Sequence, residues 1–188
     1  MDIGATTELE ESDRVLRFLR ECAFRLCGLA NEAPASGGAE RFRRAVEASL
    51  PLIAQPSWLP VLDSIGDVDP SLLAQQFVDI AALLRWQPTF RTDDQGTHIA
   101  LAPLNEVRTL DGVTVGMLYV GPGRQYPLHS HPPHELYLTI AGTAQWRYGG
   151  HTEFREVDPE SVILNRPNDL HATIAGTTPL VALYVLWD

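Results

Sequence analysis

The chain of 188 residues contains no lysine: all 14 of its basic residues are arginines, set against 24 Asp and Glu, for a formal net charge of -10. That absence excludes chemistry that runs through a Schiff base on an internal lysine. The acidic balance repels phosphate backbones, so nucleic acid is not an expected partner. Cysteine is almost missing too. Cys22 and Cys27 stand five apart in a predicted helix, on different sides of it, a poor spacing for a disulfide and too few thiols for a zinc site. Both are expected to be small core or surface residues. Long apolar runs are also lacking. The first thirty residues carry early acidic groups and an amphipathic stretch, which fits neither a secretory signal nor a membrane span. The expectation is a cytoplasmic protein with no membrane partner. What remains is ordinary globular composition, 45% hydrophobic and 20% charged, enough for one substantial core and one elaborated domain.

The first half carries a helical period. Val15, Leu16, Phe18, Leu19, Cys22, Ala23 and Leu26 form one stripe between Ser12 and Leu29. After a break at Ser36, Gly37 and Gly38 a second set runs from Phe42 to Ile53, interrupted by Pro51. Ser57 opens a short helix toward Ile65. Asp69 and Pro70 read as an N-cap and first helical residue, with Leu73, Gln76, Phe77, Ile80 and Leu84 continuing toward Trp86. Four helices are expected. Between Pro88 and Gly96 turn formers take over, and the helical period gives way to short β-rich runs: Val113–Val120, Glu135–Ile140, Ala144–Tyr148, Ser161–Leu164 and Leu180–Trp187. Several lie too close in sequence for intervening helices, which indicates an antiparallel sandwich or barrel. The expected division is a helical segment over 1–95 and a β-barrel over 96–188, an α+β chain. The helical half either closes part of the barrel mouth or builds the interface of a homodimer.

The strongest signal is a spacing: Gly123, five residues, His129, one residue, His131, three residues, Glu135, six residues, Gly142. Strand side chains alternate faces, so His129 and His131 are expected on one face, and Glu135 and Tyr137 on one face of the next strand after a turn at Pro132 and Pro133. Two imidazoles and a carboxylate converging inside a barrel suit one divalent transition metal ion, Zn, Fe, Mn, Ni or Co. The spacing resembles the first conserved motif of the cupin superfamily at every fixed position, which implies a jelly-roll, or double-stranded β-helix, barrel. The segment Glu160–His171 resembles the second motif, with His171 as a further ligand. There Asn168 stands where glycine is usual, a substitution that left-handed backbone tolerates. Arg166 and Ala175 depart from the family's proline and asparagine. His134 has opposite parity to Glu135 and is expected in solvent, while His98 and His151 carry no assigned role.

Fold does not name a reaction, but Tyr137 narrows it. Two residues beyond a metal-binding carboxylate, its phenol is expected beside the metal. A phenol with pKa about 10 needs about 4 kcal/mol of preferential stabilisation to act as a phenolate base near neutrality, which a divalent cation can supply. Tyr126 is a second candidate acid or base at the rim. The helical first half, the C-terminal single barrel and the run Tyr126, Pro127, His129, His131, Glu135, Tyr137 and His171 resemble the cupin-type dimethylsulfoniopropionate lyases of marine bacteria. The resemblance implies a metal held by His131, Glu135 and His171, with His129 either a fourth ligand or a hydrogen-bonding neighbour, and Tyr137 and Tyr126 as the active-site tyrosines. It implies β-elimination of a small-molecule carboxylate substrate to dimethyl sulfide and acrylate, with no organic cofactor. Trp146, Tyr148, Tyr119 or Trp187 could face the sulfonium. Two other readings are an iron-dependent cupin dioxygenase and a non-enzymatic cupin that binds a small ligand.

Overall fold

The structure, a computed structural model, describes residues 3–52, 71–89 and 98–188. Three helices lie among them: α1 (Ile3–Leu29), α2 (Ala35–Ala48) and α3 (Leu72–Ala81). The helical period anticipated each, with different ends. α1 begins well before Ser12. Gly37 and Gly38, which read as a break, lie inside α2, where a Cβ on Gly38 would overlap the Trp187 indole. The missing side chain lets that ring sit against the helix backbone. α3 is capped by Ser71, whose hydroxyl accepts from Ala74 N at 3.2 Å, so the helix starts at Leu72. Asp69, Pro70 and the expected fourth helix from Ser57 to Ile65 fall outside the described residues. Among the described residues no helix is long and apolar enough to cross a membrane.

Ten strands lie among the described residues: β1 (Gln87–Pro88), β2 (Ile99–Pro103), β3 (Thr114–Val120), β4 (Gln125–His129), β5 (His134–Ala141), β6 (Ala144–Arg147), β7 (Arg155–Val157), β8 (Val162–Asn165), β9 (His171–Ala175) and β10 (Leu180–Trp187). They form a six-stranded sheet in the order β1-β2-β3-β10-β5-β8 and a four-stranded sheet in the order β4-β9-β6-β7. All neighbours are antiparallel. The five strands read from sequence are β3, β5, β6, β8 and β10.

Side-chain alternation along β10 sorts the interior into two cores. Val181, Leu183, Val185 and Trp187 join a cluster with the helices, with Phe18, Phe42 and Phe77 among its helical members. Leu180 and Ala182 join a second cluster with Leu118, Val120, Trp146, Val157 and Ala175, drawn from both sheets. The helices therefore cover the outer face of the large sheet, and the space between the two sheets is the barrel interior. Burial on both faces of the large sheet explains why β10 reads as a continuous apolar run rather than an alternating one.

The helices are also tied on by polar contacts. Arg25 of α1 pairs with Glu160 at 2.6 Å in the turn before β8. Arg108 is buried; its guanidinium donates to Ser49 Oγ at 2.9 Å and Ser49 O at 3.0 Å beyond α2, and to Ser12 Oγ at 2.8 Å on α1. Burial pushes the Arg108 pKa down, against the opposing charge of Asp13. His134, expected in solvent, is instead half-buried and stacked on Trp187, rings 5.2 Å apart and 13° from parallel. Its opposite parity to Glu135 does point it out of the barrel, but onto the face that the helices cover.

Candidate metal centre

Four segments bring the ligand-type residues together. β4 and β9 pair so that His129 lies directly across from His171. β5 carries Glu135 and Tyr137 on its inner face, and the link between β4 and β5 holds His131. His131 thus lies beyond the end of β4, and the sequence expectation that it shares a strand with His129 is corrected: Pro132 and Pro133 end the ladder early. Asn168 has φ +64°, the left-handed geometry expected of it, and its N–H donates to His131 O at 2.8 Å. That turn lays the segment before His171 against the one carrying His131. Gly142 has φ +80°, and a Cβ there would overlap the Pro179 carbonyl oxygen, so the turn closing β5 requires glycine.

One ring nitrogen from each of His129, His131 and His171 lies within 4.8 Å of the others. Nε2 of His131 and Nε2 of His171 stand 3.2 and 3.1 Å from Glu135 Oε2. Each of the three imidazoles uses Nδ1 on a backbone carbonyl: His129 on Pro127 O at 2.8 Å, His131 on Pro133 O at 3.2 Å and His171 on Asp169 O at 2.9 Å. A carbonyl only accepts, so Nδ1 carries the proton and, in a neutral ring, Nε2 presents a lone pair. The buried Nε2 of His171 makes no hydrogen bond of ordinary geometry despite its closeness to Glu135. Lone pairs facing a carboxylate oxygen at this range repel unless a proton or cation lies among them. Donors around an ion at about 2.1 Å stand roughly 3.0–3.4 Å apart in tetrahedral or octahedral arrangements, the separation found between Glu135 and the two rings. The donor set therefore fits a divalent transition ion.

Burial works to raise the Glu135 pKa, but the imidazoles of His131 and His171 overcome it and hold the carboxyl down at about 2. It is an anion throughout the neutral range. Burial also pushes the Tyr137 phenol well above its ordinary range, and the Glu135 charge adds to the rise. Tyr137 is 3% exposed, its ring 5.0 Å from that of Trp146 and 6.4 Å from that of His171. Tyr126 is buried as well, its ring 4.7 Å from His129. His129 and His131 are half-buried while Glu135 and His171 are fully enclosed. The site therefore deepens from the two outer histidines toward Tyr137.

The profile of the DMSP lyase (dimethylsulfoniopropionate lyase) family matches residues 63–182, most of the chain. The chain belongs to the DMSP lyase family. A curated relative, dimethylsulfoniopropionate lyase DddQ of Ruegeria pomeroyi, is 34% identical over 77 residues, which cover 41% of this chain and 37% of the relative. The match thus spans little more than a third of that relative's length. Among solved structures, DMSP lyase DddQ from Ruegeria pomeroyi superposes with a TM-score of 0.66 at 21% identity, over 76% of this chain and 78% of the other. A structure from the DMSP lyases RdDddP and RnDddQII gives 0.64 at 22%, over 80% and 90%. These likenesses establish the fold, an N-terminal helical part followed by an antiparallel cupin barrel.

Within this DMSP lyase family member, the aromatics expected near a substrate divide by face. Trp146 and Tyr148 belong to the barrel interior, whereas Tyr119 and Trp187 sit in the helix-side core. Sequence reasoning missed Tyr184 and Asn165. Tyr184 lies on β10 across from Tyr137, rings 6.5 Å apart, and packs against the interior cluster. It has room because Gly116, its partner on β3, lacks a side chain; a Cβ there would overlap the Tyr184 hydroxyl. Replacing Gly116 with alanine should therefore push the Tyr184 ring out of place and lower stability by about 1–3 kcal/mol. Denaturant titration would show this, and Gly116→Ala/Tyr184→Leu should regain most of the loss. An unchanged single variant would mean that the ring has another place to go.

Proposed function

We propose that this chain cleaves dimethylsulfoniopropionate to dimethyl sulfide and acrylate by metal-dependent β-elimination. The observation that carries this reading, together with family membership, is the placement of Tyr137. Its phenol shares a face of β5 with Glu135 and faces the histidine cluster across the barrel. A base and a carboxylate-binding cation would then share one wall. His131, Glu135 and His171 would hold the ion, with His129 the fourth donor. When bound, the ion supplies electrostatic stabilisation of the negative charge that grows on the substrate carboxylate as the adjacent carbon loses its proton.

The chain's own residues do the rest. Tyr137 Oη, as phenolate, takes the proton from the carbon next to the carboxylate. The electron pair of that C–H bond becomes the new C=C bond, and the C–S bond breaks with its electrons going to sulfur. Dimethyl sulfide leaves neutral and needs no acid, so Tyr126 has no leaving-group proton to give. Its buried hydroxyl instead orients the substrate carboxylate at the His129 side of the site. The Trp146 and Tyr148 rings, the first buried and the second partly buried against the same cluster, offer aromatic surface to the sulfonium.

The test is headspace detection of dimethyl sulfide, with acrylate measured in solution, from purified protein loaded in turn with Fe, Zn, Mn, Ni and Co. Equimolar release with at least one metal is expected. No release with any of them would end the substrate assignment. Oxygen uptake with bound iron would favour a dioxygenase instead.

A further inference from the structure

Asn165 is fully buried at the end of β8, directly across from Glu135 on β5, and both ends of its amide are used. Nδ2 donates to Glu135 Oε2 at 3.1 Å, and Oδ1 accepts from Gly149 N at 3.3 Å. The oxygen that receives this bond is the same one that stands between the Nε2 atoms of His131 and His171. We propose that Asn165 is a positioning residue for the metal carboxylate, fixing the rotation of Glu135 and tying it to the turn between β6 and β7. The inference rests on the metal reading above and extends it to a residue that touches neither ion nor substrate.

The argument is geometric. A glutamate carboxylate can swing its two oxygens about the last side-chain torsion, which is broad. Turning Glu135 would break the Asn165 bond inside a buried site, where an unmet polar group is costly. The amide itself cannot flip, because that would set Oδ1 against the carboxylate and the NH2 group against the Gly149 N–H. Gly149 and Gly150 both have positive φ, at +59° and +77°, so that turn is held in a backbone shape that presents the Gly149 N–H inward. Ligand carboxylates held by an outer hydrogen bond typically lose 10–100-fold in metal affinity when that bond is removed.

The test compares wild type with Asn165→Leu, which is close in volume and cannot hydrogen-bond. Zinc affinity is read by competition with a chromophoric chelator, and ligand geometry from the visible absorption of the cobalt-loaded protein. A rise in the zinc Kd of about 10–100-fold and a changed cobalt spectrum are expected. Equal affinity and an identical spectrum in the variant would overturn the role of Asn165 while leaving the metal site standing. Wild type that binds no metal would overturn both. Should the variant not fold, the wild-type protein still decides. In a nitrogen-15 NMR titration with zinc, the side-chain amide pair of Asn165 should shift and saturate at one equivalent, and a pair that does not move would refute the proposal.

Discussion

Tyr137→Phe should lower dimethyl sulfide release from the metal-loaded protein by about 10²–10⁴-fold, the usual contribution of a positioned general base, with the fold and metal content unchanged. Without a cation the phenol is a poor base, because burial and then the Glu135 charge both push its pKa up. To act near neutrality it must come down from above 10 to about 7, and each unit corresponds to about 1.4 kcal/mol. A divalent ion held by the neighbouring donors would supply stabilisation of that size. Two readings follow beyond the loss of rate. The wild-type rate should rise with pH as the phenolate forms, since deprotonation creates the active base. Phenolate absorbance should also appear at lower pH when metal is added, and that metal-induced step should be missing in Tyr137→Phe. Undiminished release by the variant would remove Tyr137 as the base; an intact spectral step would assign the phenolate to Tyr126 or Tyr184.

The clustering of the candidate donors was legible in sequence because spacing alone carries it. His129, His131 and Glu135 are fixed by a strand, a two-proline link and a second strand, and each joins the site although His131 turned out to lie past the strand end. Asn168 was legible for a similar reason, since few residues adopt a left-handed turn. β4 and β9 were not. Pro127 interrupts the ladder of β4, where the register slips between Tyr126 and His129, and β9 is a five-residue strand that begins at His171 itself. Tyr184 was hidden by its surroundings: in the run Leu180–Trp187 both faces are buried, so no alternation marks which residues point inward. His134 shows the same limit from the other side. Parity told which way it faces and could not tell that α2 and Trp187 cover that side. Asn165 escaped notice because its role depends on a cross-strand register that a single segment does not display.

Stripping the metal with a strong chelator should abolish dimethyl sulfide release and also lower the melting temperature, and one equivalent of the correct ion should restore both. The first effect follows from the raised Tyr137 pKa, the second from linkage. An ion that binds only the folded chain, at 100 times its Kd, stabilises it by about 2.7 kcal/mol, and each kcal/mol shifts the melting of a chain this size by about 2–4 °C. In the metal-free chain the Glu135 carboxyl separately ties stability to pH. Its folded pKa of about 2 lies below the ordinary 4.5, so its share of the stability is complete above about pH 4.5 and fades as pH falls toward 2. A bound ion takes the place of any proton held on the donors it meets, so binding should release protons to the buffer. Calorimetry in buffers of different ionisation enthalpy would count them. Metal that raised the melting temperature and released protons, yet left the Tyr137 phenol unmoved, would keep the ion as a structural clasp and separate it from the chemistry.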